Sequence, residues 1–487
     1  MILFFREHRR VLIALLFVLL IHQASFLYFD HLSAQNPTAS AYPIFAGDSA
    51  TYVEMSESLL VGKGLAGEDG ALQRAYPPGY AAFLAVSKAI TGSYTFAAII
   101  QIFATLGAAF LIYLMTLKFV SRGWAIAAAM FYGLDPSVIF ASTTLFSDAL
   151  FSAMIVAVVY MLFFAERPPV LVRSAIAGFL LDAATLVRPI GEFLLIVLPV
   201  LFVILSWIEI RTRGRKGKIM IYHNFLPAVV CALTALIIVV PWVYRNYSIF
   251  GVPEIAHVGA NNLLYYNARQ FLLFEEMNTL NPLAALKAAR AQTDLQLAAV
   301  DARIAEELEK ATPPGQMSTN YEGAVAKRLL LEHPILYGYY HSVNIVPFFI
   351  TSSVAAYQQY VMQARDSSGF YAPTFSALWQ NLRDMKDRFA TRDWGGLVAA
   401  ASAVAPIALE MLFWIIVTLL AAGAVMLRWR DPRVILFALL VLYFAFLTGP
   451  VAIARYRIPA EPYLFILAGI ALSALVDRIK ATYGSTR

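Results

Sequence analysis

Between Ala46 and Leu84 the chain reads AGDSATYVEMSESLLVGKGL and then, past a Gly-rich turn at Gly62 to Gly70, RAYPPGYAAFL. Asp48 offers a carboxylate that can take a proton from a hydroxyl. Arg74 offers a planar fork of N–H donors matched to phosphate oxygens. The rigid Pro77-Pro78-Gly79 corner separates them from renewed apolar sequence. A carboxylate and a guanidinium at one surface suit chemistry on a lipid-linked anion. Asp48 is equally well placed to cap a helix starting near Ala50, since Asp and Ser are good N-caps. The residues alone leave both readings open.

Four more arginines, Arg188, Arg245, Arg455 and Arg457, flank apolar runs. Charge beside hydrocarbon is expensive unless it finds a partner or reaches the headgroups. Phosphate binding therefore competes with lipid anchoring and with pairing to Asp135, Asp148, Asp182 or Glu192. Asp182 lies inside an apolar run and reads as a residue with a structural partner. Glu254 and His257 follow Arg245 closely enough to line the same site, and Lys63 stands with Arg74 as a further cation. No His or Cys pair has zinc-like spacing, so no metal is indicated. The histidines read as structural, and Tyr265, Tyr266, Tyr339, Tyr340, Tyr357 and Tyr360 as an interfacial belt.

The elements that must hold these groups are membrane helices. The 487 residues are 60% hydrophobic and only 14% charged, against roughly 25% charged in a soluble domain. Mean hydropathy is +0.67. Apolar runs at 11–29, 94–117, 124–141, 144–165, 173–187, 190–208, 225–243, 402–427, 434–451 and 461–476 approach or exceed the ~20 residues that cross ~30 Å of hydrocarbon. Basic clusters around Arg9, Lys118, Arg173, Lys216, Arg430 and Arg478 alternate with these runs so that all fall on one side. That side is expected to be cytoplasmic, with both termini. The first run lacks a cleavage site and reads as an uncleaved span. The stretch 335–361, aromatic and broken by Pro347, reads as interfacial or re-entrant. The loops expected on the cytoplasmic side hold about half of the basic residues, so the net charge of +6 requires no nucleic-acid partner. Outside the membrane, residues 284–310 read as an amphipathic helix ended by Thr312-Pro313-Pro314-Gly315, and 321–332 as another helix. Three parts are expected: 1–243 with its first loop 30–93, an extracytoplasmic and interfacial region 244–401, and helices 402–487.

The polar segments occur as Gly47-Asp48-Ser49 with Tyr52, Tyr76-Pro77-Pro78-Gly79-Tyr80, Leu134-Asp135-Pro136 with Ser147-Asp148, Leu186-Val187-Arg188-Pro189, Pro241-Trp242-Val243-Tyr244-Arg245-Asn246, and Arg455-Tyr456-Arg457. In this order they resemble the GT-C membrane glycosyltransferases, the superfamily of protein O-mannosyltransferases and lipid A aminoarabinose transferases. The resemblance covers about four-fifths of the chain and leaves 280–400 without a counterpart; Asp148 stands where Glu is the commoner acid. It implies an all-α polytopic, GT-C-like fold of about ten helices with a mostly helical extracytoplasmic portion. It also implies inverting transfer of a monosaccharide from a polyprenyl phosphate to a glycan, lipid or protein hydroxyl, outside the bacterial inner membrane. Asp48 would be the general base. Arg74, Arg188, Arg245, Arg455 and Arg457 would bind the donor phosphate. Tyr52, Tyr76, Tyr80, Asp135, Asp148, Glu192, Asn246, Glu254 and His257 would line the site. No cofactor beyond the lipid-linked donor is implied. An oligosaccharide polymerase or ligase, or a lipid-linked sugar flippase, remains as the alternative. A flippase should show paired helix breaks near the midplane, whereas the polar segments here gather at one surface.

Overall fold

The computed structural model describes residues 2–34, 48–67, 70–212, 225–291, 295–354 and 385–484. The basic loop around Lys216 and the tyrosines Tyr357 and Tyr360 lie outside these residues. The described chain is helical, with one isolated bridge between Ala66 and Leu72 closing the Gly-rich turn. In order it forms α1 (Ile2–Ala34), α2 (Asp48–Leu60), α3 (Pro78–Thr91), α4 (Thr95–Thr116), α5 (Arg122–Gly133), α6 (Pro136–Thr143), α7 (Ser147–Phe163) and α8 (Val170–Val187). Then follow α9 (Leu194–Thr212), α10 (Leu226–Thr234) and α11 (Val239–Phe250). A π-helix, Asn262–Ala268, leads into α12 (Arg269–Glu276), α13 (Pro282–Ala288), α14 (Leu295–Ala311), α15 (Glu322–Glu332) and α16 (Pro334–Ile350). The chain closes with α17 (Trp394–Arg428), α18 (Pro432–Thr448), α19 (Ala454–Arg457) and α20 (Glu461–Gly484).

Among the described residues six helices are long and apolar enough to cross a membrane, or up to eight if each of two bent pairs is one span. Ten were expected. Both bends fall inside runs that look continuous in hydropathy. Between α5 and α6 the axis turns by 56°, because Pro136 cannot continue the ladder and Asp135 caps the new helix by accepting from the amide of Ser137 at 2.8 Å. Between α10 and α11 it turns by 42°. There Asp182 of α8 accepts from the amides of Ile238 and Val239 at 2.7 and 2.9 Å. Broken backbone survives in lipid only when its groups are satisfied, and both carboxylates meet that need. The run at 144–165 gives a helix of 17 residues, about 26 Å long.

Lipid tails give no hydrophobic drive for helix pairing, so close contact of small residues matters. A Cβ on Gly178 would lie 2.2 Å from the carbonyl oxygen of Cys231, which shows how near α8 comes to α10. His22 is fully buried and is satisfied by Ser142 and the carbonyl of Gly133, both at 2.7 Å. A second core lies in the segment 264–340, where Leu297, Val300, Ile304 and Leu308 of α14 pack with Phe271, Phe274, Val325, Leu329 and Tyr340. The single helix expected over 284–310 is two, α13 and α14. The stretch from 335 forms α16 up to Ile350, and its part beyond residue 354 lies outside the described residues.

Candidate active site

Four ends of helices converge on Asp48. Ser49 donates to the carbonyl of Leu145 at 2.9 Å and so fixes the start of α2 beside the start of α7. Asp148 stands in the first turn of α7, Arg188 just past α8, and Arg455 on the one-turn helix α19. Arg188 Nη1 lies 2.5 Å from Asp148 Oδ2. Arg455 Nε donates to the same oxygen at 3.0 Å while its Nη2 donates to Asp48 Oδ2 at 2.7 Å. Tyr76 completes the row by donating its hydroxyl to Asp48 Oδ1 at 2.9 Å. The result is an alternating line of charge, Arg188–Asp148–Arg455–Asp48. Asp148 is 1% exposed and Asp48 31%, so of the two acids Asp48 faces outward.

Both oxygens of Asp48 are thus turned to Arg455 and Tyr76. Burial alone would raise its pKa. The charges of Arg455 and Arg188, with hydrogen bonds from Arg455 and Tyr76, hold it below the ordinary carboxylate value instead. Arg455 stacks over Phe146, 4.4 Å from its ring centre, which fixes the plane of the fork. Tyr52 is buried against the rings of Tyr76 and Tyr80, at 5.1 and 4.9 Å. Tyr80 is fully buried and donates to Gln101 at 2.6 Å, so it packs the wall rather than facing the opening.

The other residues singled out in the sequence fall into two separate groups. Arg74 pairs with Glu254 at 2.9 Å and donates to Thr319 at 2.8 Å. Arg245 donates to the carbonyl of Gln73 at 3.1 Å and to Asn246 at 2.8 Å. Arg74 and Arg245 both lie 5.3 Å from the ring of Phe250. Asn246 is buried and donates to the carbonyl of Glu254 at 2.8 Å. His257 sits between Glu254 and Glu322. Glu192 is exposed just past the 3-10 turn Pro189–Gly191. This group joins the Asp48 row through the backbone leading to Tyr76.

Arg457 lies elsewhere. It is fully buried, pairs with Glu461 at 3.3 Å, donates to the carbonyls of Phe348 and Thr351 at 3.1 and 2.9 Å, and stacks 3.6 Å over Trp414. All its contacts hold the end of α16 against α17 and α20. Asp135 is committed as the cap of α6. Among the described residues no group of three His, Cys, Asp or Glu side chains is placed to hold a metal ion. Sequence reasoning missed Glu322, Thr319 and Ser147; the first two lie in the region without a counterpart. Ser147 accepts from Arg188 at 3.2 Å and directly precedes Asp148, which was its only signal.

No protein-family model matches the chain, and no curated protein matches it. Solved structures do. The Archaeoglobus fulgidus oligosaccharyltransferase AglB, in complex with an inhibitory peptide and a dolichol-phosphate, aligns at a TM-score of 0.53 and 14% identity over 99% of this chain and 52% of that one. A second structure of an oligosaccharyltransferase from that organism, tethered to an acceptor peptide with the NVT sequon, aligns at 0.49 and 13% identity over 98% and 51%. ArnT from Cupriavidus metallidurans, bound to undecaprenyl phosphate, aligns at 0.36 and 13% identity over 94% and 77%. The chain spans about half the length of the oligosaccharyltransferases. The likeness to AglB is one of fold, and the all-helical fold with apolar spans expected from the sequence is the one observed among the described residues.

Proposed function

We propose that this chain is a membrane glycosyltransferase that moves a monosaccharide from a polyprenyl-phosphate donor to an acceptor hydroxyl, with Asp48 as general base. The observation that carries the reading is the alternating row ending on a half-open Asp48, with Arg455 bonded to both acids. The fold shared with AglB, a structure that contains a dolichol-phosphate, supports a lipid phosphate as the ligand.

The acceptor oxygen gives its proton to Asp48 and forms the bond to the anomeric carbon. The bond from that carbon to the phosphate oxygen breaks, its electron pair leaving with the lipid phosphate. Inversion at carbon follows from attack opposite the leaving group. Arg455 and Arg188 stabilise the charge growing on the phosphate, a role worth several kcal/mol in a preorganised site. In the free protein Arg455 is engaged by Asp48. A phosphate competing for that fork would release the carboxylate and raise its basicity, so the base would strengthen when the donor arrives. Arg74 and Arg245 hold the loop that carries Tyr76, and Arg457 holds the bundle; the phosphate is assigned to Arg188 and Arg455. We place the site outside the bacterial inner membrane, opposite the basic loops, with an envelope glycan, lipid or protein as acceptor.

The test is transfer from a labelled polyprenyl-phosphate sugar by purified protein. Asp48→Asn should lower turnover by roughly 10²–10⁴-fold while leaving the folded yield and donor binding largely intact. Turnover equal to wild type per folded molecule would remove Asp48 from the mechanism. A lipid-linked oligosaccharide as donor is the second reading, favoured by the oligosaccharyltransferase fold. It would show as transfer from that donor and none from the monosaccharide.

A further inference from the structure

Three consecutive residues before Tyr76 are gripped by one polar cluster. The amide of His257 donates to the carbonyl of Arg74 at 2.8 Å, and that of Val258 to the carbonyl of Ala75 at 3.1 Å. Arg245 holds the carbonyl of Gln73, and the Arg74 side chain reaches Glu254 and Thr319. Beyond Tyr76 come Pro77 and Pro78, whose rings fix φ. Pinned on both sides, Tyr76 keeps little freedom except to point its hydroxyl at Asp48. At the centre of the cluster is His257, with Nε2 2.9 Å from Glu322 and Nδ1 3.5 Å from Glu254.

We infer that His257 is a positioning residue for the Asp48 site: as a cation between Glu254 and Glu322 it locks residues 73–75 to the outer helices and thereby aims Tyr76 at Asp48. The inference rests on the proposed function only for its consequence in turnover. An imidazole that bonds one carboxylate at 2.9 Å through Nε2 and keeps a second 3.5 Å from Nδ1 is favoured as the cation, because both neighbours are negative.

The groups facing His257 are Glu254 from its own segment, Arg74 from the first loop, and Glu322 from α15. Tyr265 of the π-helix acts on Glu322, while Glu192 interacts with Glu254 and with Lys327 of α15. The carboxylates of Glu254 and Glu322, which favour the protonated ring, outweigh the cost of burial and raise the His257 pKa to about 9. A raised histidine stabilises fully below its ordinary value of 6.5 and ceases to do so as pH rises through about 9. The lock is therefore closed at neutral pH and opens in alkali.

Two readouts test this without requiring catalysis. One is amide exchange, corrected for intrinsic rates, over the peptides covering 71–77 and 255–260. The other is labelling of Asp48 by a water-soluble carbodiimide, expressed relative to a fully exposed carboxylate of the same chain because the reagent itself slows as pH rises; it should be slow while Tyr76 and Arg455 cover the carboxylate. In wild type, exchange and labelling should both rise several-fold between about pH 7 and about pH 10. His257→Gln should show the high values at neutral pH and no alkaline step. His257→Arg, which keeps the charge, should restore protection and abolish the step. If His257→Gln matches wild type in both readouts across this range, the inference is wrong. It is also wrong if exchange rises while Asp48 labelling and turnover stay unchanged, since the lock would then be structural only. A wild-type protein that responds as described yet transfers no sugar would overturn the glycosyltransferase reading and leave the lock standing.

Discussion

Asp148 presents one oxygen to two guanidinium groups at once, 2.5 Å from Arg188 and 3.0 Å from Arg455, with almost no exposed surface of its own. It is too deep to meet a substrate and instead fixes both cations. Removing one partner from a buried ionic group leaves uncompensated charge, at a cost of about 3–5 kcal/mol. Asp148→Asn keeps the volume but loses the charge shared by the two arginines. It should lower the melting temperature and weaken donor binding together, measured by thermal unfolding and donor titration on purified protein. If neither moves, the two arginines are oriented by Ser147, Asp48 and Phe146 alone. At this scale the sequence was informative where chemistry is local. Asp48, Asp148 and Arg188 each stand at a helix end beside a Ser or Pro, Arg455 sits on a one-turn helix, and all four meet. It was silent on partners supplied by 319–322, because a Glu in a soluble helix carries no mark of the histidine it will bond. It also could not separate Arg455 from Arg457, two residues apart, whose side chains leave α19 for the site and for the core respectively.

Helix ends, rather than helices, carry the site, and their placement depends on close backbone approach. A Cβ on Gly79 would lie 2.6 Å from the carbonyl carbon and oxygen of Leu186 and 2.8 Å from the amide nitrogen of Val187. The first turn of α3 therefore sits directly on the last turn of α8, one residue before Arg188. The Pro-Pro-Gly corner, legible in the sequence as a rigid turn, is also the contact that sets Arg188 relative to Tyr76. Gly79→Ala cannot be absorbed by a side-chain shift, because the clashing atoms are backbone. It should cost on the order of 1–3 kcal/mol by overpacking and reduce turnover beyond the loss of folded protein. Gly62→Ala supplies the contrast: no atom lies within 4 Å of its added Cβ, and its φ of +76 makes the strain local. Equal turnover per folded molecule in Gly79→Ala and wild type would show that the α3–α8 approach does not position Arg188. Of the two bends, that at Leu134-Asp135-Pro136 is marked in the sequence by its proline, whereas that between α10 and α11 is not. A hydropathy run records how apolar a stretch is, and a carboxylate that caps a broken turn from another helix, as Asp182 does for α11, leaves no trace in it.

Across the whole molecule the loops expected on one face are joined to each other. Lys118, after α4, pairs with Glu166, after α7, at 3.1 Å. Arg433, at the start of α18, stacks over Phe119 at 4.9 Å. These contacts lie at the end of the bundle where α7 and α17 finish and α5 and α8 begin, whereas Asp48, Asp148, Arg188 and Arg455 meet where α7 begins and α8 finishes. For the loops after α4 and α7 and the start of α18, alternation along the sequence thus corresponds to a shared end in space, while among the described residues six helices, or up to eight with the bent pairs, are long and apolar enough to be spans where ten were expected. What alternation alone does not give is which end meets the cytoplasm; the excess of Lys and Arg supplies that expectation. Cysteine labelling in intact cells decides it. The single native thiol, Cys231, is buried and should contribute little background. With a membrane-impermeant maleimide, Lys63→Cys and Met317→Cys should react from outside. Lys118→Cys and Arg430→Cys should react only after the membrane is opened. The opposite pattern would put the Asp48 row on the cytoplasmic face and overturn the placement of the site outside. Reaction of Lys63→Cys and Lys118→Cys from the same side would mean that α4 does not cross the membrane, and with it the common orientation of the basic loops would fall.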